Sequence, residues 1–227
     1  MYKFFLLQAD PVLETVAVTE RNVNVLELLM TGGWYIMLPL ALMSLIAMYV
    51  YFERFFAIRK AAAETPDFMN RLKDYISAGQ LPSAKNLCAD NDTPMARMME
   101  KGISRIGKPL KDIATSIENV GKIEIYNLEK NLNLLATISG AAPMIGFLGT
   151  VTGMIQAFIS IAEEEGAVSP KLLSSGIYEA MLTTAAGLFV GIVAYLSYNY
   201  LVSRVEKLIH KMEYTTIEFI ETLQNRK

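Results

Sequence analysis

The stretch SSGIYEAMLTTAAGLFVGIVAYLSY, residues 174–198, contains one acidic residue, Glu179, in a run that is otherwise apolar, small or hydroxyl-bearing. A helix of about 20 apolar residues crosses the ~30 Å hydrocarbon core of a bilayer, so this run reads as a membrane span. Two more stretches read the same way. WYIMLPLALMSLIAMYVYFERFF, residues 34–56, is apolar from Ile36 to Phe52 apart from Ser44. Trp34 and Tyr35 at one end and Tyr49 and Tyr51 at the other are placed like interfacial aromatic belts, and Pro39 is tolerated near the end of a span. The other, second in chain order, runs from Leu132 to Ala162 and contains SGAAPMIGFLGTVTGMIQAF. The expected fold is an all-α integral membrane protein with transmembrane helices over 34–57, 132–162 and 174–202.

Composition agrees. The 227 residues are 52% hydrophobic and 19% charged, more apolar than a soluble chain of this length, and the apolar residues fall in blocks. A formal net charge of −2, with no basic patch carrying interleaved aromatics, argues against a nucleic-acid partner. A lone cysteine, Cys88, excludes an internal disulfide framework and a multi-cysteine metal site; in its polar segment it reads as a reduced cytosolic thiol. The lone histidine, His210, sits among charged residues and reads as a solvated surface side chain. No P-loop, HExxH, dinucleotide fingerprint or Ser/His/Asp set is present, so no enzyme activity, metal or cofactor is expected.

The remaining segments organise around the spans. Residues 1–33 form an N-terminal segment with a short amphipathic helix over 21–31, its apolar face carried by Val25, Leu28 and Leu29. The opening MYKFFLLQAD lacks a long apolar core and a cleavage site, so it is not read as a removed signal peptide. Residues 58–131 carry most of the charge and read as helices. DFMNRLKDYISAG places Phe68, Leu72, Tyr75 and Ile76 at helical spacing before a Gly79 stop. LPSAKNLCADND and TPMARMMEKGISRIG each start with proline just inside, and a further helix is expected to run into the second span without a clear break. Residues 163–173 form a short polar loop containing EEEGAVSPK, and 203–227 continue the third span as a helix in water. Basic residues cluster in 58–131 and in the C-terminal tail. This predicts an extracytoplasmic N-terminus and 163–173 loop, with the central segment and C-terminus in the cytosol.

The second and third spans are unlike lipid-facing helices. The second holds Pro143, Gly146, Gly149, Thr150 and Gly153; the third holds Glu179, Thr183, Thr184, Gly187 and Gly191. Gly149/Gly153 and Gly187/Gly191 are GxxxG pairs, which let helix backbones approach closely; alone they indicate packing and nothing more specific. The carboxylate says more. A charge in the bilayer core costs roughly 2.5–3.5 kcal/mol or more, so it faces protein or water. Glu179 and Thr183 lie one helical turn apart, Thr184 is adjacent, and Thr150 of the neighbouring span completes a candidate polar track for a proton. The plain alternative is a hydrated carboxylate near the end of a packing helix.

APMIGFLGTVTGMIQAF followed by GIYEAMLTTAAGLFVGI resembles the paired signature of the MotA/TolQ/ExbB proton channel family, nearest its ExbB and TolQ branch. The resemblance implies a homopentamer in the inner membrane of a Gram-negative bacterium, its pore lined by the second and third spans. It implies two copies of an ExbD/TolR-like single-span partner inside the pore, and a TonB-like or TolA-like protein that receives the work. On the same basis Glu179 falls on the family's pore glutamate and Thr150 and Thr184 on its pore threonines, while Thr183 stands where a small residue is usual. The three expected spans argue against the MotA branch, which usually has four. A TolQ-like role, a gliding or secretion motor, and a non-conducting membrane scaffold are the alternative readings.

Overall fold

The computed structural model describes residues 33–63, 67–163 and 170–224. The expected amphipathic helix over 21–31 and most of the 163–173 loop lie outside the described residues. Among these residues seven helices follow in chain order: α1 Trp34–Ala62, α2 Phe68–Ser77, α3 Leu81–Ala89, α4 Pro94–Ile103, α5 Leu110–Glu129, α6 Leu132–Glu163 and α7 Pro170–Gln224. No strand occurs among the described residues. Three helical stretches, 34–62, 110–163 and 174–224, are long and apolar enough to cross a membrane. At 1.5 Å per residue the 55 residues of α7 extend about 80 Å, far beyond a ~30 Å hydrocarbon layer, so this one helix links the apolar layer to the polar head.

In α1 one stripe is buried, Ile36, Met37, Leu40, Ala47, Val50, Arg54 and Ile58, at helical spacing. The opposite stripe exposes Trp34, Leu38, Leu42, Leu45, Tyr49 and Phe52. A helix apolar on all sides is a core or membrane helix; here the outer face is the one left to lipid. The buried stripe of α7 runs from Ala180 through Thr183, Ala194, Leu201, Val205, Leu208 and Met212 to Phe219, one seam over its whole length.

The polar head, α2 to α5, packs on the distal half of α7. Leu72, Ile76, Met99, Ile117, Met212 and Phe219 are fully buried; each such side chain stabilises by about 1.5–3 kcal/mol relative to exposure. A Cβ on Gly102 would lie 2.7 Å from both Ile117 and Phe219, so glycine brings α4 against α5 and α7. Thr93 caps α4, its hydroxyl accepting from the Ala96 amide at 3.3 Å, and Pro94 takes the first position, where a missing N–H costs nothing. Arg97 of α4 donates both arms to Glu124 of α5, at 2.8 and 2.7 Å. Arg97 and Lys60 also donate to Asp92, at 2.6 and 2.8 Å, which ties the end of α1 to the head. The Lys60 hydrogen bond and charge, with Arg97 beside them, hold the Asp92 carboxyl below its usual range. Lys73 of α2 pairs with Glu218 of α7.

One sequence expectation changes. The helix expected to enter the second span unbroken is interrupted at Lys130 and Asn131. Asn131 adopts the left-handed conformation (φ 65°), which asparagine tolerates better than most residues. In an unbroken helix the Asn127 carbonyl would accept from the residue 131 amide; instead it accepts from buried Arg54, at 3.1 Å, while Arg54 also pairs with Glu53. Cys88, read from the sequence as a reduced thiol, is 2% exposed inside α3. Burial, with the Glu100 charge adding, pushes its thiol up to about 12. Alkylation by iodoacetamide near pH 8 is therefore expected to be roughly a hundredfold or more slower in the folded protein than in denaturant; a mass-spectrometric time course checks this, and equal rates would contradict the buried placement.

Candidate functional site

The candidate site is the seam between α6 and α7. Their small residues interlock in antiparallel register. A Cβ on Gly146 would meet the Thr183 carbonyl at 2.8 Å, and one on Gly187 would meet the Ala142 carbonyl at 2.6 Å and the Gly146 Cα at 2.8 Å. Side chains are excluded there because backbone occupies the space. Further along, Gly149 lies against Thr183, Gly153 against Ala180, Gly176 against Ala157, and Gly191 against the Pro143 ring.

That register places the hydroxyls. Thr184 donates across the seam to the Gly146 carbonyl at 3.1 Å. Thr183 is 1% exposed, inside the seam, and donates to the Ala180 carbonyl at 2.7 Å. Thr150, half-buried on α6, donates to the Phe147 carbonyl at 2.6 Å. Each hydroxyl proton is thus committed to backbone, and each oxygen keeps lone pairs that can accept from water or a protonated group.

Glu179 is half-buried one turn from Thr183. Among the described residues no hydrogen bond joins it to Thr150, Thr183 or Thr184, whose hydroxyls donate to carbonyls. Its carboxylate lies instead against the start of α1: a Cβ on Gly33 would be 2.6 Å from Oε1. Gly33 has φ 72° and precedes the first turn of α1, whose amides carry partial positive charge. The structure therefore brings Thr184 and Thr183 to the α6–α7 seam and Glu179 to the meeting point of α7 with α1. Sequence reasoning missed Gly33; its place beside a tryptophan-marked span start was the available signal.

Residues 90–214 match the family described as the MotA/TolQ/ExbB proton channel family, over more than half of the chain. The chain belongs to that family. The matched region takes in α4, α5, α6 and most of α7, and so includes the whole seam. Among curated relatives, a putative biopolymer transport protein ExbB homolog of Methanothermobacter thermautotrophicus is 26% identical over 84% of this chain and 67% of its own length. The Tol-Pal system protein TolQ of Pseudomonas aeruginosa is 28% identical over 85% of this chain and 87% of its own length. The biopolymer transport protein ExbB of Aquifex aeolicus is 39% identical over 42% of this chain and 66% of its own length. These proton channel family relatives, with the three long apolar helices, make this a multi-pass membrane protein.

Substituting Gly187→Ala is expected to force the backbones apart and to destabilise the protein by roughly 1–3 kcal/mol. Gly140, with open space where its Cβ would go, is the matched control, and Gly140→Ala should be neutral or slightly stabilising. Thermal unfolding in detergent micelles compares the two; equal melting would remove the seam from the fold's determinants.

Proposed function

We propose that this chain is the stator subunit of an inner-membrane motor driven by the proton motive force. Its α6 and α7 line a pore, and Glu179 stands on or beside the proton path with Thr150 and Thr184. The observation that carries the reading is the isolation of Glu179: between 132 and 162 and between 174 and 203 no other Asp, Glu, Lys, Arg or His occurs. A transmembrane potential supplies about 2.3 kcal/mol per charge per 100 mV, and using it requires a titratable group on a narrow polar path. Hydroxyl lone pairs on Thr150 and Thr184 extend such a path. Thr183, enclosed by the seam, is assigned to packing in this reading, alongside Gly146, Gly149, Gly153, Gly187, Gly191 and Pro143.

The outward faces of the seam helices are apolar, with Met144, Phe147, Phe158, Met181 and Phe189 all exposed. Further copies of the chain cover part of that surface, in a homopentamer enclosing two copies of an ExbD/TolR-like single-span partner. The α2–α5 head and distal α7 lie in the cytosol, the N-terminus outside it, consistent with Arg54, Arg59 and Lys60 at the end of α1. The work is delivered to a TonB-like protein for outer-membrane transport. The TolQ match over most of both chains favours, as a second reading, delivery to a TolA-like protein for envelope maintenance.

The test is proton flux into liposomes holding this protein with its single-span partner. Glu179→Gln is expected to reduce flux to the level of empty liposomes while assembly, judged by size-exclusion chromatography, is unchanged. Wild-type flux in a correctly assembled variant would leave Glu179 as a hydrated structural carboxylate. Complementation of strains lacking ExbB or TolQ separates the two deliveries.

A further inference from the structure

A pocket of about 650 Å³ opens between the last turns of α1 and the α7 stretch 200–211, outside the α6–α7 seam. Four cationic side chains line it: Arg59 from α1, and Arg204, Lys207 and Lys211 from α7. Among the described residues the lining includes no carboxylate. Arg204 is held by Tyr200, its guanidinium carbon 5.2 Å from the ring centroid and Nη2 donating to the phenol oxygen at 3.1 Å. Tyr200 in turn stacks on Phe55, with centroids 6.4 Å apart. Arg59, Arg204 and Lys207 make no ion pair with a carboxylate among the described residues, although salt bridges are frequent elsewhere in the head. Arg59, Arg204 and Lys207, brought to one concavity without a paired carboxylate among the described residues, repel one another unless an anion enters.

The lining is also ordered along the helices. Phe55, Ile58 and Leu201 lie toward the apolar stretch of α1 and α7, and Lys207 and Lys211 lie one to three turns further out. An apolar base beneath a basic rim, at the level where the spans end, matches a lipid better than a free ion. We propose that this pocket binds an acidic phospholipid of the leaflet on the side of the helical head. The phosphate sits against Arg59, Arg204, Lys207 and Lys211, and the upper acyl chain against Phe55 and Leu201. The proposal rests on α1 and α7 spanning the bilayer and is independent of whether Glu179 conducts protons.

Full-length protein is extracted in mild detergent from vesicles of equal phosphatidylglycerol and phosphatidylcholine, and retained lipid is read by native mass spectrometry. Wild type is expected to retain phosphatidylglycerol preferentially. The double variant Arg59→Gln, Lys207→Gln should lower that preference about tenfold or more, since each basic residue near anionic lipid is worth about fivefold. The charge-keeping pair Arg59→Lys, Lys207→Arg should retain it and so separates loss of charge from misfolding. Equal retention of the two lipids by wild type would overturn the proposal, as would unchanged preference in the glutamine variant. Displacement of the lipid by excess inorganic phosphate would overturn it too, and would mark a site for a soluble anion.

Discussion

At the contact of Gly146 with Gly187 two helix backbones meet with no side chain between them, and the positions of the other parts follow from it. A Cβ on either residue would fall within 2.8 Å of the opposing backbone. In lipid, apolar side chains gain little from leaving one apolar medium for another, so helices associate through close van der Waals packing and polar contacts. The α6–α7 glycines supply the first, and the Thr184 bond to the Gly146 carbonyl supplies the second. This register sets Thr183 opposite Gly149 and Ala180 opposite Gly153, and so fixes how deep Thr150, Thr184 and Glu179 lie relative to one another.

The head is held differently. Its stability comes from buried side chains such as Leu72, Ile117 and Phe219, each worth about 1.5–3 kcal/mol, whereas exposed ion pairs such as Lys60–Asp92 are screened by solvent and contribute little. The ion pairs act mainly on direction: Lys60–Asp92 and Lys73–Glu218 link the head to α1 and α7. Because α7 passes unbroken from the seam to Phe219, a displacement at one end has a stiff path to the other. The α5–α6 route has a break instead, stabilised where Arg54 takes up the Asn127 carbonyl. One connection is rigid and the other is jointed, a combination suited to a head that braces the spans.

Glu179 lies within the apolar stretch of α7, beside the first turn of α1, whose amides carry partial positive charge. The start of α1 and the Glu179 turn of α7 thus share one polar locus, while α1 from Ile36 to Phe52 is apolar on its exposed face.

The amino-acid sequence by itself determined the three long apolar helices, the helical character of the head, and the isolation of Glu179. Hydropathy and helical period are local properties, readable within one turn or one span. It also marked the small residues of α6 and α7, since glycines recurring every fourth residue can serve little besides close approach. Only the tertiary structure decided which glycine meets which backbone, that Thr183 is enclosed while Thr184 bridges, and that Cys88 is buried. It likewise decided that Asn131 breaks a helix that propensity would continue, because Arg54, far away in the chain, satisfies the carbonyl that the break frees. The Gly33–Glu179 contact and the basic pocket joining Arg59 to Arg204 also depend on helix register. Register is set by packing between segments remote in the chain, and no local pattern encodes it.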